Sequence, residues 1–232
     1  PVPQWVGYEA HYLDAAARYF PLVGVFVGAT SAGVYWLALS VFEPALAVLI
    51  AMAVTVLLTG AFHEDGLADS MDAFGGGYTR EDTLRIMHDS RIGTFGAIAL
   101  VLVLAIKWQA LVVLPASLAI GTMVASHALS RLFAIGYLRT LEYVRPEGKA
   151  KPVAQALRGG ALFVAGVFGL IPLCFLPWEL VLAIALVLAP LWWCLGIYFR
   201  RRLGGYTGDC LGMAQQLAEL AIVLCVAAWI SF

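Results

Sequence analysis

The chain has 232 residues, 62% of them hydrophobic and 12% charged, with a mean hydropathy of +0.89 and a formal net charge of −1. A soluble domain carries roughly 25% charged residues, so the composition excludes an ordinary soluble globular domain, and a charge near zero gives nucleic acid no footing as a partner. Apolar runs near 20 residues recur along the chain and predict an all-α, polytopic integral membrane helical bundle.

Residues 1–19 are mixed in character. Tyr8, Tyr12, Ala15 and Tyr19 fall roughly on one face and predict an interfacial helix. No signal-peptide pattern is visible, and a chain that begins at Pro1 without Met predicts a short preceding piece. About seven spans follow, at about 20–42, 44–62, 95–115, 117–138, 160–177, 180–199 and 211–231, in one membrane-embedded domain covering 1–232. Pro44, Pro115 and Pro177 punctuate the tight connections. Trp36, Trp178 and Trp229 sit near span ends, where indole rings anchor at the membrane surface. Cys174, Cys194, Cys210 and Cys225 have neither metal-ligand nor disulfide spacing and read as small apolar residues.

With seven spans, the N-terminus and the loops 63–94, 139–159 and 200–210 share one side. That side holds Arg18, Arg80, Arg85, Arg91, Arg139, Arg145, Lys149, Lys151, Arg158, Arg200, Arg201 and Arg202, which leaves only Lys107 and Arg131, both inside spans. The opposite face offers only Glu43 and Glu179. The positive-inside rule therefore predicts a cytoplasmic N-terminus, cytoplasmic long loops and a bacterial inner-membrane location. A transporter needs polar groups reachable from both faces; an enzyme acting on cytoplasmic substrates needs one face.

The second span runs into GAFHEDGLADSMD, residues 60–72. Residues 60–74 lack Pro and are expected to continue that helix past the membrane surface, with Asp65, Asp69 and Asp72 at i, i+4 and i+7 on one face. Like charges at this spacing repel unless a cation sits between them, and oxygen-only ligands suit Mg²⁺ or Mn²⁺. A solvated acidic helix end would be the blander explanation. Gly66 weakens it, because Gly inside a helix costs about 1 kcal/mol; it suggests close approach by a phosphate or another backbone. Glu64 points off the acidic face, and His63 is either a base or a packing residue.

Gly75-Gly76-Gly77 ends this helix, and Thr79 with Asp82 reads as a capping box opening a short helix to about His88. HDSRIGTFG, residues 88–96, then supplies His88, Asp89 as a further carboxylate, Arg91 as a phosphate ligand, and Gly93 and Gly96. RRRLGGYTGDCLG, residues 200–212, supplies Arg202, Gly205, Thr207 and Asp209 before the last span. Glycine-rich turns at a helix start suit anions; the Arg triplet alone is an ordinary positive-inside anchor. Three loops on one side thus each carry Asp, Gly and Arg, which points to metal-assisted chemistry on phosphate-bearing substrates. Within the spans, Glu219 is the expected partner of Lys107, and Ser126, His127, Ser130 and Arg131 form a polar stripe.

FHEDGLADSMDAF, IMHDSRIGTFG and GGYTGDCLG, in this order, together with PVP, FPLVG and YVRPEG, resemble the cobalamin synthase family. Ala73 departs from the Gly expected there. The resemblance implies a membrane adenosylcobinamide-GDP ribazoletransferase in cobalamin biosynthesis: the ribose 3′-hydroxyl of α-ribazole or its 5′-phosphate attacks the phosphate on cobinamide, and GMP leaves, with Mg²⁺ required. The expected metal ligands are Asp65, Asp69, Asp72 and Asp89. The expected catalytic residues are His63, Asp72 and Asp209, and substrate is expected on Gly66, His88, Arg91, Gly93, Arg131, Arg202, Gly205 and Thr207. Membrane lipid is a further expected partner, and a homo-oligomer stays open. Asp-Gly-x-x-Ala also resembles, more loosely, the motif of CDP-alcohol phosphotransferases, but Asp69 stands where Arg would follow Ala68. Outside the enzymes, a transporter or a purely structural membrane subunit would share this hydropathy pattern.

Overall fold

In the computed structural model, residues 16–145 and 160–231 are described. The expected interfacial helix therefore lies largely outside the described residues, as does most of the basic loop 139–159 with Lys149, Lys151 and Arg158. Among the described residues there is no strand, only one isolated bridge between Tyr143 and Tyr206. The helices are α1 (Phe20–Ala38), α2 (Pro44–Thr59), α3 (Phe62–Gly76), α4 (Arg80–Ile86), α5 (Thr94–Val112), α6 (Ala116–Ile135), α7 (Tyr137–Thr140), α8 (Gly160–Leu170), α9 (Trp178–Leu203) and α10 (Gly208–Trp229).

Each predicted span holds a helix. Five stretches are long and apolar enough to cross a bilayer: Ala17–Ala38, Thr94–Val112, Ala116–Thr140, Trp178–Leu203 and Gly208–Trp229. Counting the bent pair α2–α3 as one broken span would bring the number to six, while the apolar stretch Gly160–Phe175 is shorter. Proline sets the starts as expected: Pro44 is the first residue of α2, and Pro115 and Pro177 are the N-caps of α6 and α9. A fixed φ and a missing N–H suit those positions. Helix α9 outruns its prediction. Its 26 residues carry it through Arg200, Arg201 and Arg202, so the third loop shrinks to the turn after Leu203.

The largest departure from expectation lies at the end of α2. The chain does not continue straight into the acidic segment; it turns by 87° between α2 and α3. Gly60 (φ 65°) and Ala61 (φ 57°) are both left-handed, and Ala61 is the only non-Gly described residue with positive φ. Glycine takes this conformation freely, whereas alanine there costs roughly 1 kcal/mol.

Helix α10 sits centrally and packs on α3, α5, α6 and α9, while α1 makes its most extensive contact with α6. Small residues set the α1–α6 distance. A Cβ on Gly24 would strike the His127 carbonyl, and one on Gly28 would lie 2.7 Å from Met123 O. Two glycines four apart let apolar helices approach closely.

The bundle interior is polar at one level. Lys107 Nζ on α5 lies 2.8 Å from Glu219 Oε1 on α10 and donates to Gln216 Oε1 at 3.1 Å. His127 Nδ1 on α6 lies 3.1 Å from Glu219 Oε2. Gln215 donates to Ser130 Oγ at 2.9 Å, and Gln216 to Glu64 Oε1 at 2.9 Å. The expected Lys107–Glu219 pairing is thus present, inside a network that ties α3, α5, α6 and α10 together. Polar groups removed from water need such partners.

Candidate active site

Helix α3 crosses α10 at Gly66. A Cβ there would lie 3.1 Å from both Asp209 O and Gly212 Cα. Of the two approaches that Gly66 suggested, the structure has the second: another backbone, not a ligand, fills the space. This contact brings the acidic face of α3 beside the first turn of α10. Glu64 turns inward and is buried, with Oε1 on Gln216 and Oε2 without a partner. Asp65 is exposed, and Asp69 and Asp72 are half-buried.

The carboxylates feel one another. The Asp69 carboxyl is pushed up from 3.8 to about 7, chiefly by burial and then by the charges of Asp65 and Asp209; Arg145 opposes the shift and Asp72 adds to it. Asp209 is partly neutralised, because Arg145 Nη2 sits 2.7 Å from its Oδ2 and also donates to Met87 O at 3.2 Å. Among the described residues, no three His, Cys, Asp or Glu side chains already converge as a finished metal shell. The donor chemistry nevertheless fits a hard cation. Asp65, Asp69 and Asp209 offer only oxygen, and Mg²⁺ keeps several waters and needs few carboxylates.

Two expected metal ligands are engaged elsewhere. Asp72 accepts from Gly93 N at 2.7 Å and Gly96 N at 2.8 Å, so both its oxygens bind the free amides at the start of α5. A carboxylate is favourable there, because helix N-termini carry partial positive charge and unpaired donors. Asp72 thereby fixes α3 to α5, and Gly93 and Gly96 serve this junction. Asp89 pairs with Arg91 at 2.6 Å on the surface, and that guanidinium holds its carboxyl down at about 2. Arg91 is 86% exposed, so it is free to reach a ligand only by releasing Asp89. His88 is exposed in the same loop.

Other expected substrate residues have partners within the chain. Arg202 donates to Phe74 O at 3.1 Å and Gly77 O at 2.7 Å, and its guanidinium lies 5.5 Å from the Phe74 ring centre. It closes the carbonyl end of α3, where a cation belongs. Gly205 packs against the Glu142 carbonyl, Tyr206 N donates to Glu142 O at 2.9 Å, and Val144 N donates to Tyr206 O at 3.0 Å, so this turn is joined to residues 142–144. Thr207 caps α10, its buried hydroxyl accepting from Cys210 N at 3.3 Å. The capping box is also present: Thr79 Oγ1 accepts from Asp82 N at 3.1 Å. His63 and Arg131 lie away from the acidic face, lining a groove on the other side of α3. The four cysteines are free.

Sequence reasoning missed Arg145 as a partner of Asp209; YVRPEG marked its segment, but nothing linked two residues 64 positions apart. It also missed Gln215 and Gln216, although paired amides inside an apolar span are a visible signal.

The cobalamin-5-phosphate synthase family matches residues 1–227. The chain is 56% identical to the adenosylcobinamide-GDP ribazoletransferase of Ralstonia pickettii (strain 12J), across 100% of this chain and 91% of that protein. It is 53% identical to the protein of that name from Ralstonia nicotianae (strain ATCC BAA-1114 / GMI1000), with the same coverage. It is 45% identical to the one from Shewanella sp. (strain W3-18-1), across 97% of this chain and 87% of that protein. No solved structure matches significantly. A match to residues 1–227 of 232, with relatives at up to 56% identity over the full chain, means that this chain belongs to the cobalamin-5-phosphate synthase family.

Proposed function

We propose that the chain is an adenosylcobinamide-GDP ribazoletransferase acting in the assembly of the cobalamin nucleotide loop. The ribose 3′-hydroxyl of α-ribazole, or of its 5′-phosphate, attacks the phosphate attached to cobinamide, and GMP departs with the bridging oxygen. The observation that carries this reading is the crossing of α3 and α10 at Gly66, which brings the helix face of Asp65 and Asp69 beside Asp209 and its partner Arg145, in a chain 56% identical to a protein of that name.

Each residue then has a task. Asp65 and Asp209 would hold Mg²⁺, which when bound supplies charge neutralisation for the diphosphate. Asp69, on the same face of α3 as Asp65 and half-buried, takes the proton of the attacking hydroxyl at its carboxylate oxygen. Arg145 orients Asp209 from one side. Asp72, by capping α5, fixes the acidic face relative to the loop that carries Arg91. Arg91 exchanges Asp89 for a substrate phosphate, which its planar fork matches. Arg145 bonds Asp209 of α10 and Arg202 bonds the end of α3, so the reading puts the crossing on the basic, cytoplasmic side of a bacterial inner membrane, with seven spans.

The test is product analysis. Reconstituted protein receives adenosylcobinamide-GDP, α-ribazole 5′-phosphate and Mg²⁺, and nucleotide release is followed by chromatography. GMP that requires both substrates supports the reading. CMP released from a CDP-alcohol, with no GMP, would replace it by a CDP-alcohol phosphotransferase.

A further inference from the structure

On the opposite side of α3 from the acidic face, a groove of about 540 Å³ runs between α1, the α2–α3 bend and α6. Its size is that of a ligand site. Phe20, Val23 and Phe26 of α1 form one wall, and Leu58 and Phe62 form the other. Phe26, Leu58 and Phe62 remain 65%, 55% and 61% exposed. Phe20, Val23 and Phe26 belong to a helix of bilayer length, and Leu58 and Phe62 flank the bend of the apolar pair α2–α3, so on the membrane reading the groove opens sideways, toward hydrocarbon.

Four polar side chains line the groove: the hydroxyls of Thr30 and Thr59 are bonded to carbonyls of their own helices, and His63 and Arg131 close it. Arg131 is only 5% exposed. Both of its hydrogen bonds among the described residues come from Nη1, to His127 O at 2.8 Å and His127 Nδ1 at 3.5 Å. The nearby carboxylates Glu219 and Glu64 act on its charge, but neither is hydrogen-bonded to it among the described residues: Glu219 bonds Lys107 and His127, and Glu64 bonds Gln216 through Oε1 and leaves Oε2 unpaired. A guanidinium at the base of this groove, whose Nε and Nη2 donate no hydrogen bond among the described residues, suits a headgroup rich in acceptor oxygens whose remainder is apolar. A free nucleotide or polar metabolite fits the cation and leaves the walls wet. An acyl chain alone fits the walls and leaves the cation unmatched.

We propose that the groove is a binding site for one anionic phospholipid. Its phosphate sits on Arg131 and His63, and an acyl chain lies along α1 between Phe26 and Phe62. Basic pockets between membrane helices are recognised sites for such headgroups. The site shares α3 with the acidic crossing but uses its other face, so the proposal does not depend on the reaction assigned there.

Native mass spectrometry of the full chain in mild detergent tests it. The protein is supplied with equal phosphatidylglycerol and phosphatidylcholine, and retained lipid is counted. We expect one lipid per chain, with phosphatidylglycerol preferred about fivefold. Arg131→Gln should abolish the preference. Because Arg131 also holds a backbone carbonyl, a second variant leaves the polar network untouched: Val23→Trp, on the open wall, should displace the lipid while the melting temperature stays near that of the unsubstituted protein. Equal retention of the two lipids would overturn the anionic assignment. An undiminished adduct in Val23→Trp would overturn the groove as its location. If Val23→Trp instead raised the KM for an organic substrate and left the lipid in place, the groove would be a substrate port and the proposal would fall.

Discussion

Arg145 Nη2 sits 2.7 Å from Asp209 Oδ2, joining the segment after α7 to the first turn of α10. The same guanidinium nitrogen donates to the Met87 carbonyl at 3.2 Å. One side chain thus gathers three distant parts of the chain beside Asp65 and Asp69. Removing a positioned charge of this kind commonly lowers turnover by about 10²-fold or more. Arg145→Gln is therefore expected to reduce kcat by about that factor with a smaller change in KM. Arg145→Lys should recover part of the loss. Steady-state GMP release checks both.

The raised affinity of Asp69 for a proton has a stability consequence. Its folded value of about 7 lies above its unfolded 3.8, so between those pH values the folded state binds the extra proton. Its contribution is therefore favourable at low pH and is lost as pH rises from about 4 to about 7. In EDTA, the melting temperature should be higher at pH 5 than at pH 8, and Asp69→Asn should flatten that difference. A divalent cation that binds only the folded protein should restore stability at pH 8 by mass action.

The Lys107–Glu219 pair is buried, with side chains 7% and 3% exposed. Breaking a buried pair leaves an uncompensated charge and costs about 3–5 kcal/mol, whereas replacing both partners with apolar groups is far milder. Lys107→Met alone should lower the melting temperature sharply, and Lys107→Met with Glu219→Gln, which removes the second charge but keeps an acceptor for His127 and Gln215, should recover much of the loss.

Arg202 separates a strut from a substrate ligand. It bonds the carbonyls of Phe74 and Gly77, so Arg202→Ala should destabilise the protein by about 1–2 kcal/mol and leave KM nearly unchanged in whatever fraction stays folded. A large rise in KM at normal stability would restore it to the substrate site.

Ala61 offers a check on the bend. Its φ of 57° is unfavourable for a residue with a Cβ. Ala61→Gly should be neutral or stabilising, by up to about 1 kcal/mol, where a helix-interior Ala→Gly would destabilise by a similar amount. Thermal unfolding decides between the two.

Which features were legible in the sequence follows from their physics. Apolar runs and the prolines at 44, 115 and 177 locate the helices because both signals are local. The i, i+4, i+7 spacing places Asp65, Asp69 and Asp72 on one face for the same reason, and the lone charge of Lys107 inside a span required a partner such as Glu219. The bend was hidden because Ala61 carries no signal for a left-handed conformation. Asp72 and Arg202 look like ligands in sequence because the groups they satisfy, the amides of Gly93 and Gly96 and the carbonyls of Phe74 and Gly77, are backbone. Backbone partners leave no residue-type trace. The Arg145–Asp209 contact is tertiary and separated by 64 residues, so no local pattern encodes it.

On the proposed reading, the chemistry sits where α3 crosses α10, and not in the exposed loop before α5. Its most direct test compares GMP release by Asp65→Asn, Asp209→Asn and Asp89→Asn, each reconstituted at equal folded concentration with both substrates and limiting Mg²⁺. The first two should lose about 10²-fold or more in turnover, while Asp89→Asn, which only frees Arg91, should keep most of it. Near-normal turnover by Asp65→Asn and Asp209→Asn, with turnover abolished by Asp89→Asn, would contradict the account.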